Sequence, residues 1–397
     1  MKVSTKIRMI ASKAFQIIFL VISVLSVPAI ADRKVSVSDI AGLDAALREP
    51  QTGDTIILAS GRYELDGNEY KYLFGNNLKN VTIRSQDPAN PAIIDGNGLG
   101  RVVLFRSPQG LILENFIIEN MTEGGLNIDD NDDNGEIPKP WRPASKIVLR
   151  NLIVRNIGVN GGNIDGIKLS GLRDFHIDNV QVTHWGDGGS AIDMVGCHEG
   201  TIEASQFSNT HKNILTTGLV TKGGSKNITI RNNRFELPKG YGGAVKLGGS
   251  TSPGLFRFAR GESGYEASNI TVEDNVILGG RSTFSYVNIE AGLVQRNIIY
   301  KPSDWVIRIL NEAEVSGLTV TRKGKFLNNT IIFDKQLKTA VNIGEKTEAD
   351  SFIFTGNHWY NVDYPKKSKP QLPSIEVNGV YGKDPDIKPN LLIPSKD

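Results

Sequence analysis

Two lysines in the middle of the chain share one local pattern, a short apolar strand that ends at a glycine turn. Lys222 lies in GLVTKGGS and Lys246 in GGAVKLGGS. If these segments form successive layers of a stacked structure, the two ammonium groups lie close together. Each then depresses the pKa of the other, which is how a lysine becomes a base near neutral pH. Two exposed lysines without a chemical role are the alternative interpretation.

Basic and proton-transferring residues collect around these lysines. From Ser208 to Arg260 there are nine Lys and Arg residues and one acid, Glu236. That imbalance predicts a local positive surface suited to an acidic polymer, although a charge run is usually only a solvated face. Just upstream lie further polar candidates for the same zone, namely Asp165, Lys168, Asp187 and Asp193 with His184, His198 and His211.

An insertion at about 250–268 adds aromatic and cationic side chains. Arg257 and Arg260 stand among Phe256, Phe258 and Tyr265. Aromatic rings beside guanidinium groups suit a sugar platform with anion recognition. A loop that merely covers apolar layers uses the same aromatic residues, so both interpretations stay open.

A sequence repeat predicts the architecture that positions these residues. A short β-rich strand, a Gly turn, a second strand, then Asn and a third strand recur, with the Asn position marked by Asn115, Asn151, Asn179, Ala204, Asn232, Asn275, Asn297, Asn328 and Asn357. Most spacings lie between 22 and 29 residues, too long for a leucine-rich repeat and too short for a propeller blade. The pattern predicts an all-β, single-stranded right-handed parallel β-helix of about 9–11 coils, with an Asn ladder at one corner.

Both ends of the predicted β-helix have their own signals. Residues 36–50 predict an N-terminal capping helix, with Ile40, Leu43 and Leu47 on one face and Ser38 or Asp39 as N-cap. Such a helix blocks edge pairing with other molecules. Residues 362–397 are rich in Pro and Lys and predict an irregular tail, so 32–397 reads as one domain.

The first 31 residues predict a cleaved signal peptide. A basic start precedes an apolar run from Ala14 to Val27, and Ala29-Ile30-Ala31 gives the small residues of a cleavage site. The run is shorter than the ~20 residues of a membrane span. We therefore expect a secreted or periplasmic protein that is not membrane-bound after cleavage, and a monomer.

Charge and acidic motifs exclude some partners. Without residues 1–31 the chain has 41 Lys and Arg against 43 Asp and Glu, which argues against a nucleic-acid binder. Asp130, Asp132, Asn134 and Gly135 match the first half of a calcium loop, but Trp141 stands where that loop needs a bidentate Glu. We interpret this insertion as a solvated acidic loop and predict no metal and no other cofactor.

With these motifs the sequence resembles the pectate-lyase-like β-helix superfamily and, over about 50 residues, polysaccharide lyase family 6, the alginate lyases and chondroitinase B. TKGGSKNITIRNNRF, with Lys222, looks like the segment that carries that family's lysine before a turn. The family's Arg on the next coil is matched here by Lys246, and Arg257 or Arg260 could supply the guanidinium. Its calcium-binding members carry acids before the Lys, where this chain has Asn213-Ile-Leu-Thr-Thr-Gly218. The resemblance implies a calcium-independent variant.

A second resemblance is to polygalacturonases of glycoside hydrolase family 28. Asn163-Ile-Asp165 looks like their Asn-x-Asp motif, and Asp187 falls where their paired Asp begins. Gly188 replaces the second Asp, and hydrolysis needs two carboxyl groups. This interpretation therefore ranks below the lyase.

Together the residues and the resemblance predict a lyase that cleaves a uronate-containing acidic polysaccharide by β-elimination. Lys222 is the expected base and Arg257 the expected carboxylate ligand, with Lys246, Asp193 and His198 assisting the chemistry. Substrate-binding residues are expected to be Arg260, Lys168, His184, Asp187 and Tyr265. The alternatives are a C5-epimerase, a hydrolase that uses Asp165, Asp187 and Asp193, and a β-helix that only binds glycans.

Overall fold

Short strands separated by tight turns wind into a right-handed parallel β-helix with three sheets. The computed structural model describes residues 33–131, 141–158, 161–313 and 315–392. The predicted fold class is confirmed, since every paired strand in these ranges runs parallel to its neighbours. The predicted signal peptide lies outside the described residues and stays a prediction.

Each complete coil contributes one strand to each sheet in the order sheet 1, sheet 2, sheet 3, and the first and last coils are incomplete. Sheet 1 contains Lys34–Val37, Thr55–Leu58, Thr82–Ser85, Ile112–Glu114, Ala144–Arg150, Leu172–Asp178, His198–Glu203, Ser225–Arg231, Ala267–Glu273, Ile289–Glu290, Leu293–Gln295, Lys325–Leu327 and Ile353–Thr355. Sheet 2 contains Arg62–Glu64, Ile93–Asp95, Ile117–Glu119, Ile153–Arg155, Gln181–Thr183, Gln206–Ser208, Arg234–Leu237, Val276–Gly279, Ile298–Tyr300, Thr330–Phe333, His358–Asn361 and Val380–Tyr381. Sheet 3 contains Tyr72–Asn76, Val102–Arg106, Leu126–Asp129, Ile167–Ser170, Ser190–Val195, Thr217–Lys222, Gly243–Gly248, Ser282–Val287, Trp305–Leu310 and Thr339–Ile343.

The helices are short and lie outside the coils. The α-helix Ile40–Arg48 begins after Asp39, whose carboxylate accepts a hydrogen bond from the Gly42 amide at 2.8 Å, and it buries Leu43 and Leu47. The predicted cap is therefore present. The 3₁₀ segments are Pro253–Leu255, Ala349–Ser351, Pro365–Lys367 and Pro389–Leu392. In the described ranges we find no helix whose length and apolarity would let it span a bilayer.

Alternation along the strands of sheet 3 separates the core from the functional face. Stacked in register, the inward positions are apolar and buried: Ile167, Ile192, Leu219, Val245, Phe284 and Ile307. The next residue of each strand points outward, which gives a second aligned row: Lys168, Asp193, Val220, Lys246, Ser285 and Arg308. The period of two therefore places the polar residues of successive coils side by side on one surface.

Two asparagine ladders occupy the turn between sheets 1 and 2, where the sequence predicted one. Asn115, Asn151 and Asn179 lie at positive φ on the outside, and their amides bond in series at 2.9 and 2.7 Å. One residue later in the chain, an inner ladder is buried and runs through Asn233, Asn275, Asn297, Asn329 and Asn357. The predicted series mixed these two positions. Asn232 and Asn328 occupy the outer position, and the inner ladder contains the residues that follow them, Asn233 and Asn329.

The inner ladder is expected to contribute more to stability than the outer one. The Asn297 side chain accepts a hydrogen bond from the Asn275 amide and donates to Val272 O, both at 3.0 Å. Asn297→Ala leaves these buried groups unpaired and should lower the free energy of unfolding by about 2–4 kcal/mol. Asn151→Gly keeps the positive φ of an exposed corner and should cost under ~1 kcal/mol. Urea unfolding measures both, and equal losses would contradict this interpretation.

Candidate active site

A groove on the outer face of sheet 3 combines two adjoining cavities. One has a volume of about 410 Å³ and is bordered by Asn127, Asp129, Ser170 and the loop at 250–257. The other, of about 260 Å³, reaches from Asn163 to Lys246. Lys168, Lys222 and Ser250 line both cavities, so these three residues mark where the cavities meet.

Lys222 is held at this junction by the turn that follows it. It is the last residue of strand Thr217–Lys222, and the chain reverses through Gly223 and Gly224, both at positive φ. A Cβ at Gly223 would lie 2.7 Å from Val195 Cγ1, so the turn needs glycine. The buried Glu266 carboxylate accepts the Gly223 amide at 2.8 Å and fixes the end of the strand.

A buried carboxylate joins two of the groove lysines. Asp193, whose side chain is 4% exposed, lies 3.0 Å from Lys222 Nζ and 3.2 Å from Lys168 Nζ. Lys168 pairs in register with Asp193 on the preceding strand. Lys222 lies on the following strand, two residues after Val220, which is the in-register partner of Asp193 there. The structure thus brings together three of the residues expected at the site, Lys222, Asp193 and Lys168.

Asp165 completes this cluster and has a perturbed pKa. Its Oδ2 atom lies 3.5 Å from Lys168 Nζ, and its Oδ1 atom accepts the Ser190 amide at 2.8 Å. Burial, together with the nearby Asp193 charge, raises the pKa of Asp165 to about 6. Burial opposes the charge on Lys168, but the Asp193 and Asp165 carboxylates outweigh it and raise the Lys168 pKa. Asp165 can therefore donate or accept a proton near neutral pH.

The raised Asp165 pKa predicts a stability cost that depends on pH. The native chain binds this proton more tightly than the unfolded chain. The free energy of unfolding therefore falls as the pH rises from about 4 to about 6. Asp165→Asn removes the ionisation and should raise the free energy of unfolding by roughly 1–3 kcal/mol at pH 8, with little gain at pH 4. Urea unfolding at both pH values tests this. Glu64→Gln, which alters an exposed carboxyl group, is the control, and a destabilised Asp165→Asn at pH 8 would contradict the assignment.

Lys246 lines the groove but is not stacked on Lys222. It pairs in register with Val220, and its Nζ atom lies 2.7 Å from Glu312 Oε2. Each lysine therefore has its own carboxylate partner. The sequence-based argument that the two ammonium groups depress each other's pKa does not match this arrangement.

Several residues of the basic cluster at 208–260 likewise pair with acids, most of which lie in the same strand, the adjacent coil or the neighbouring loop. Ion pairs join Lys226 to Glu262, Arg231 to Glu203, Arg234 to Glu236 and Lys239 to Asp334. The broad positive surface expected from the sequence is therefore largely offset by these acids, and the groove lysines are paired in the same way. Arg260, expected to bind substrate, is exposed and is not among the residues that line either cavity.

Arg257 occupies a buried position that differs from its predicted role. Its Nε and Nη2 atoms each lie 2.9 Å from the Asp130 carboxylate, and the side chain is only 7% exposed. Its backbone amide donates to Gly223 O at 3.0 Å. Arg257 therefore fastens the 250–266 loop beside Lys222. It also borders the larger cavity, and its guanidinium is engaged by the Asp130 carboxylate. Asp130, read as part of a solvated acidic loop, is buried; Asp132 to Gly135 lie outside the described residues.

His198 and Tyr265 also support this loop and lie away from the groove. His198 is buried, its Nε2 atom lies 3.0 Å from Arg257 O, and its ring packs on Trp141 with centroids 4.6 Å apart. Burial lowers the His198 pKa, so the ring is neutral at pH 7. Tyr265 packs edge-on against Phe258 and hydrogen-bonds Glu262. The aromatic insertion is thus packed as a cover, the second of the two sequence interpretations.

His184 and Asp187 form a separate surface cluster. His184 has φ 54° and occupies a corner after a strand of sheet 2, as Asn156 does one coil earlier. Asp187 is exposed and lies 3.1 Å from His211 Nδ1. Neither residue lines the two groove cavities, so the predicted contacts of His184 and Asp187 with substrate stay predictions.

The carboxyl pair does not suit a metal ion as it stands. The Lys168 ammonium lies between Asp165 and Asp193 and contacts both, and this is the place that a cation shared by the two would take. Within the described ranges no cluster of three or more His, Cys, Asp or Glu residues could hold a metal. The expectation of metal-independent chemistry stays a prediction.

Sequence reasoning left several groove residues out of the predicted lyase site. Asp165 was named as part of the polar zone and of the hydrolase alternative, but it was given no role in the predicted lyase. Asn127, Ser170, Thr217 and Ser250 also line the groove. Their short polar side chains carry no motif, and only coil stacking brings them to one surface.

Comparison with solved structures identifies relatives of this fold. A PL6-family polysaccharide lyase from Pseudopedobacter saltans superposes with a TM-score of 0.53 at 12% identity, covering 91% of this chain and 96% of that one. The tailspike protein of E. coli bacteriophage HK620, in complex with a pentasaccharide, gives 0.56 at 12% identity, covering 88% and 62%. The shared feature is the parallel β-helix. The sequence matches no family model and no curated protein.

Proposed function

We propose that this protein is a polysaccharide lyase that cleaves a uronate-containing polymer by β-elimination. One observation carries the proposal: the Lys222 ammonium lies where two cavities of a lysine-lined groove meet, within 3.0 Å of the buried Asp193. The structural similarity to a PL6 polysaccharide lyase supports the same reaction class, but the β-helix also carries other activities.

The groove charges suit the first requirement of the reaction. The C5 proton of a uronate becomes removable when the adjacent carboxylate is neutralised. Lys168 and Lys246 both line the cavity that contains Lys222, and their ammonium groups can take the carboxylate there. In this arrangement the lysines perform the neutralisation that the sequence assigned to Arg257.

Lys222 is the proposed base. Its amine must be neutral to accept a proton, and Asp193 is positioned to take the ammonium proton when the polymer displaces water from the pair. The C5 proton then moves to the Lys222 nitrogen, and its electron pair forms the C4–C5 double bond. The C4–O bond breaks as this double bond forms.

Asp165 is the proposed source of the proton for the departing oxygen. Its pKa of about 6 leaves it partly protonated near neutral pH, and it belongs to the same cavity as Lys222. A carboxyl group with this pKa is an effective general acid. His198, which the sequence predicted to assist the chemistry, is buried with its Nε2 atom 3.0 Å from Arg257 O.

Ultraviolet absorbance tests the reaction directly. The protein is incubated with alginate, polyglucuronate, pectate, chondroitin sulfate and dermatan sulfate, with and without chelator. Growing absorbance from the conjugated double bond on one polymer, unchanged by chelator, is the expected result. Cleavage without new absorbance, seen as reducing ends alone, would overturn the lyase proposal, as would the absence of any cleavage.

A hydrolase is the second candidate because of the carboxyl pair itself. Both Asp165 and Asp193 lie within 3.5 Å of Lys168 Nζ, so the two carboxyl oxygens are separated by at most about 7 Å, below the ~9.5 Å upper limit for the carboxyl pair of a glycosidase. Asp165, with its raised pKa, would be the acid. Reducing ends without absorbance, lost in Asp165→Asn and retained in Lys222→Ala, would favour this candidate.

A further inference from the structure

The outer face of sheet 3 continues beyond the groove as a track of aligned residues. One row runs from Asp193 through Val220, Lys246 and Ser285 to Arg308. Three residues earlier along each strand, a parallel row runs from Ser190 through Thr217, Gly243 and Ser282 to Trp305. The short side chains of Ser282 and Ser285 thus separate the Lys246 end of the groove from a Trp and Arg cluster two strands away.

Trp305 holds two guanidinium groups in this cluster. The Arg281 and Arg308 Cζ atoms lie 4.5 and 4.6 Å from its ring centroid. Arg281 is also bound to Asp304, with its Nε atom at 2.9 Å from Oδ2, and Lys338 shares that carboxylate at 3.0 Å. The Asp304 charge is therefore already used by two cations.

Within the described ranges, Arg308 has no ion pair with a carboxylate, whereas Arg257 and Arg281 each have one. Its Nε atom is buried without a hydrogen-bond partner among the described residues. Glu312, which acts on it only through its charge, is paired with Lys246 at 2.7 Å. Burial lowers the Arg308 pKa, and the Glu312 and Asp304 charges offset this effect only in part.

We propose that Arg308, oriented by Trp305, is a distal subsite that binds an acidic group of the same polymer chain whose scissile sugar lies at Lys222. The inference rests on the proposed function. A planar guanidinium with free donors recognises a carboxylate or sulfate by two parallel hydrogen bonds. Arg308 lies two strands from Lys246, or ~10 Å, so the bound chain spans more than one sugar and crosses the strands along the axis of the β-helix.

The test measures binding by a chain that cannot turn over substrate. In a Lys222→Ala background, Arg308→Ala should weaken binding of the polymer that gives the absorbance change by about tenfold or more. The gain in affinity from short to long oligosaccharides of that polymer should shrink in the same variant. Isothermal titration calorimetry measures both.

Matched variants separate a bound anion from a simple charge effect. Arg84→Ala removes another partly buried arginine, on the outer face of sheet 1, and should leave affinity unchanged. Arg308→Lys keeps the charge but loses the paired N–H donors of the guanidinium, and it should bind the polymer more weakly than the parent. Melting temperatures check that each variant is folded.

The two failures are distinguishable. If the parent binds the polymer and Arg308→Ala binds long chains equally well, the subsite is wrong while the lyase proposal stands. The subsite is also wrong if Arg84→Ala weakens binding as much as Arg308→Ala. If no acidic polymer is cleaved or bound by the protein, the proposed function fails and the subsite falls with it.

Discussion

Lys222→Ala should lower kcat/KM on the acidic polymer by about a thousandfold, because it removes the group proposed to accept the C5 proton. Lys222→Arg should be similarly inactive, since a guanidinium keeps the positive charge but does not deprotonate near neutral pH. Initial rates of absorbance increase measure both effects. The pair of variants distinguishes a base from a residue that only neutralises the substrate carboxylate.

Lys226→Ala is the matched control for this loss. The Lys226 side chain is 27% exposed, as is that of Lys222, and it likewise pairs with one carboxylate, that of Glu262. It lies in the following strand of sheet 1 and faces away from the groove cavities. Near-normal activity in Lys222→Ala, or full activity in Lys222→Arg, would contradict the base assignment, provided that thermal unfolding shows an intact fold.

Arg257→Met should lower the free energy of unfolding by about 3–5 kcal/mol, because it leaves the Asp130 carboxylate buried without its bidentate partner. That carboxylate side chain is 1% exposed, and Trp141 Nε1 also donates to it, at 3.0 Å. The backbone amide of Arg257 also donates a hydrogen bond to Gly223 O. Activity should therefore fall together with stability as the loop loosens beside Lys222.

A double-variant cycle tests the cause of this destabilisation. Asp130→Leu combined with Arg257→Met replaces the ion pair by apolar groups and should recover much of the lost stability, since the unpaired charge is then gone. Urea unfolding of the two single variants and the double variant gives the coupling. Additive losses would show that the two residues act independently.

The sequence determined the features that depend on neighbours along the chain. Strand and turn residues recur with the length of one coil, so the β-helix could be predicted without knowing any contact. The cap at Ile40–Arg48 could be read because capping residues and helix periodicity are local. The position of Lys222 before its glycine turn was readable for the same reason.

Tertiary structure alone decided which side chains meet across coils. The inner asparagine ladder lies one residue from several predicted members, and Lys222 lies two residues out of register with Lys246. Arg257 finds its carboxylate at Asp130, 127 residues away. Such pairings follow from the stacking register and from where each inserted loop folds back. A one-residue change in register reverses the face on which a side chain lies. The local sequence does not determine the register between coils.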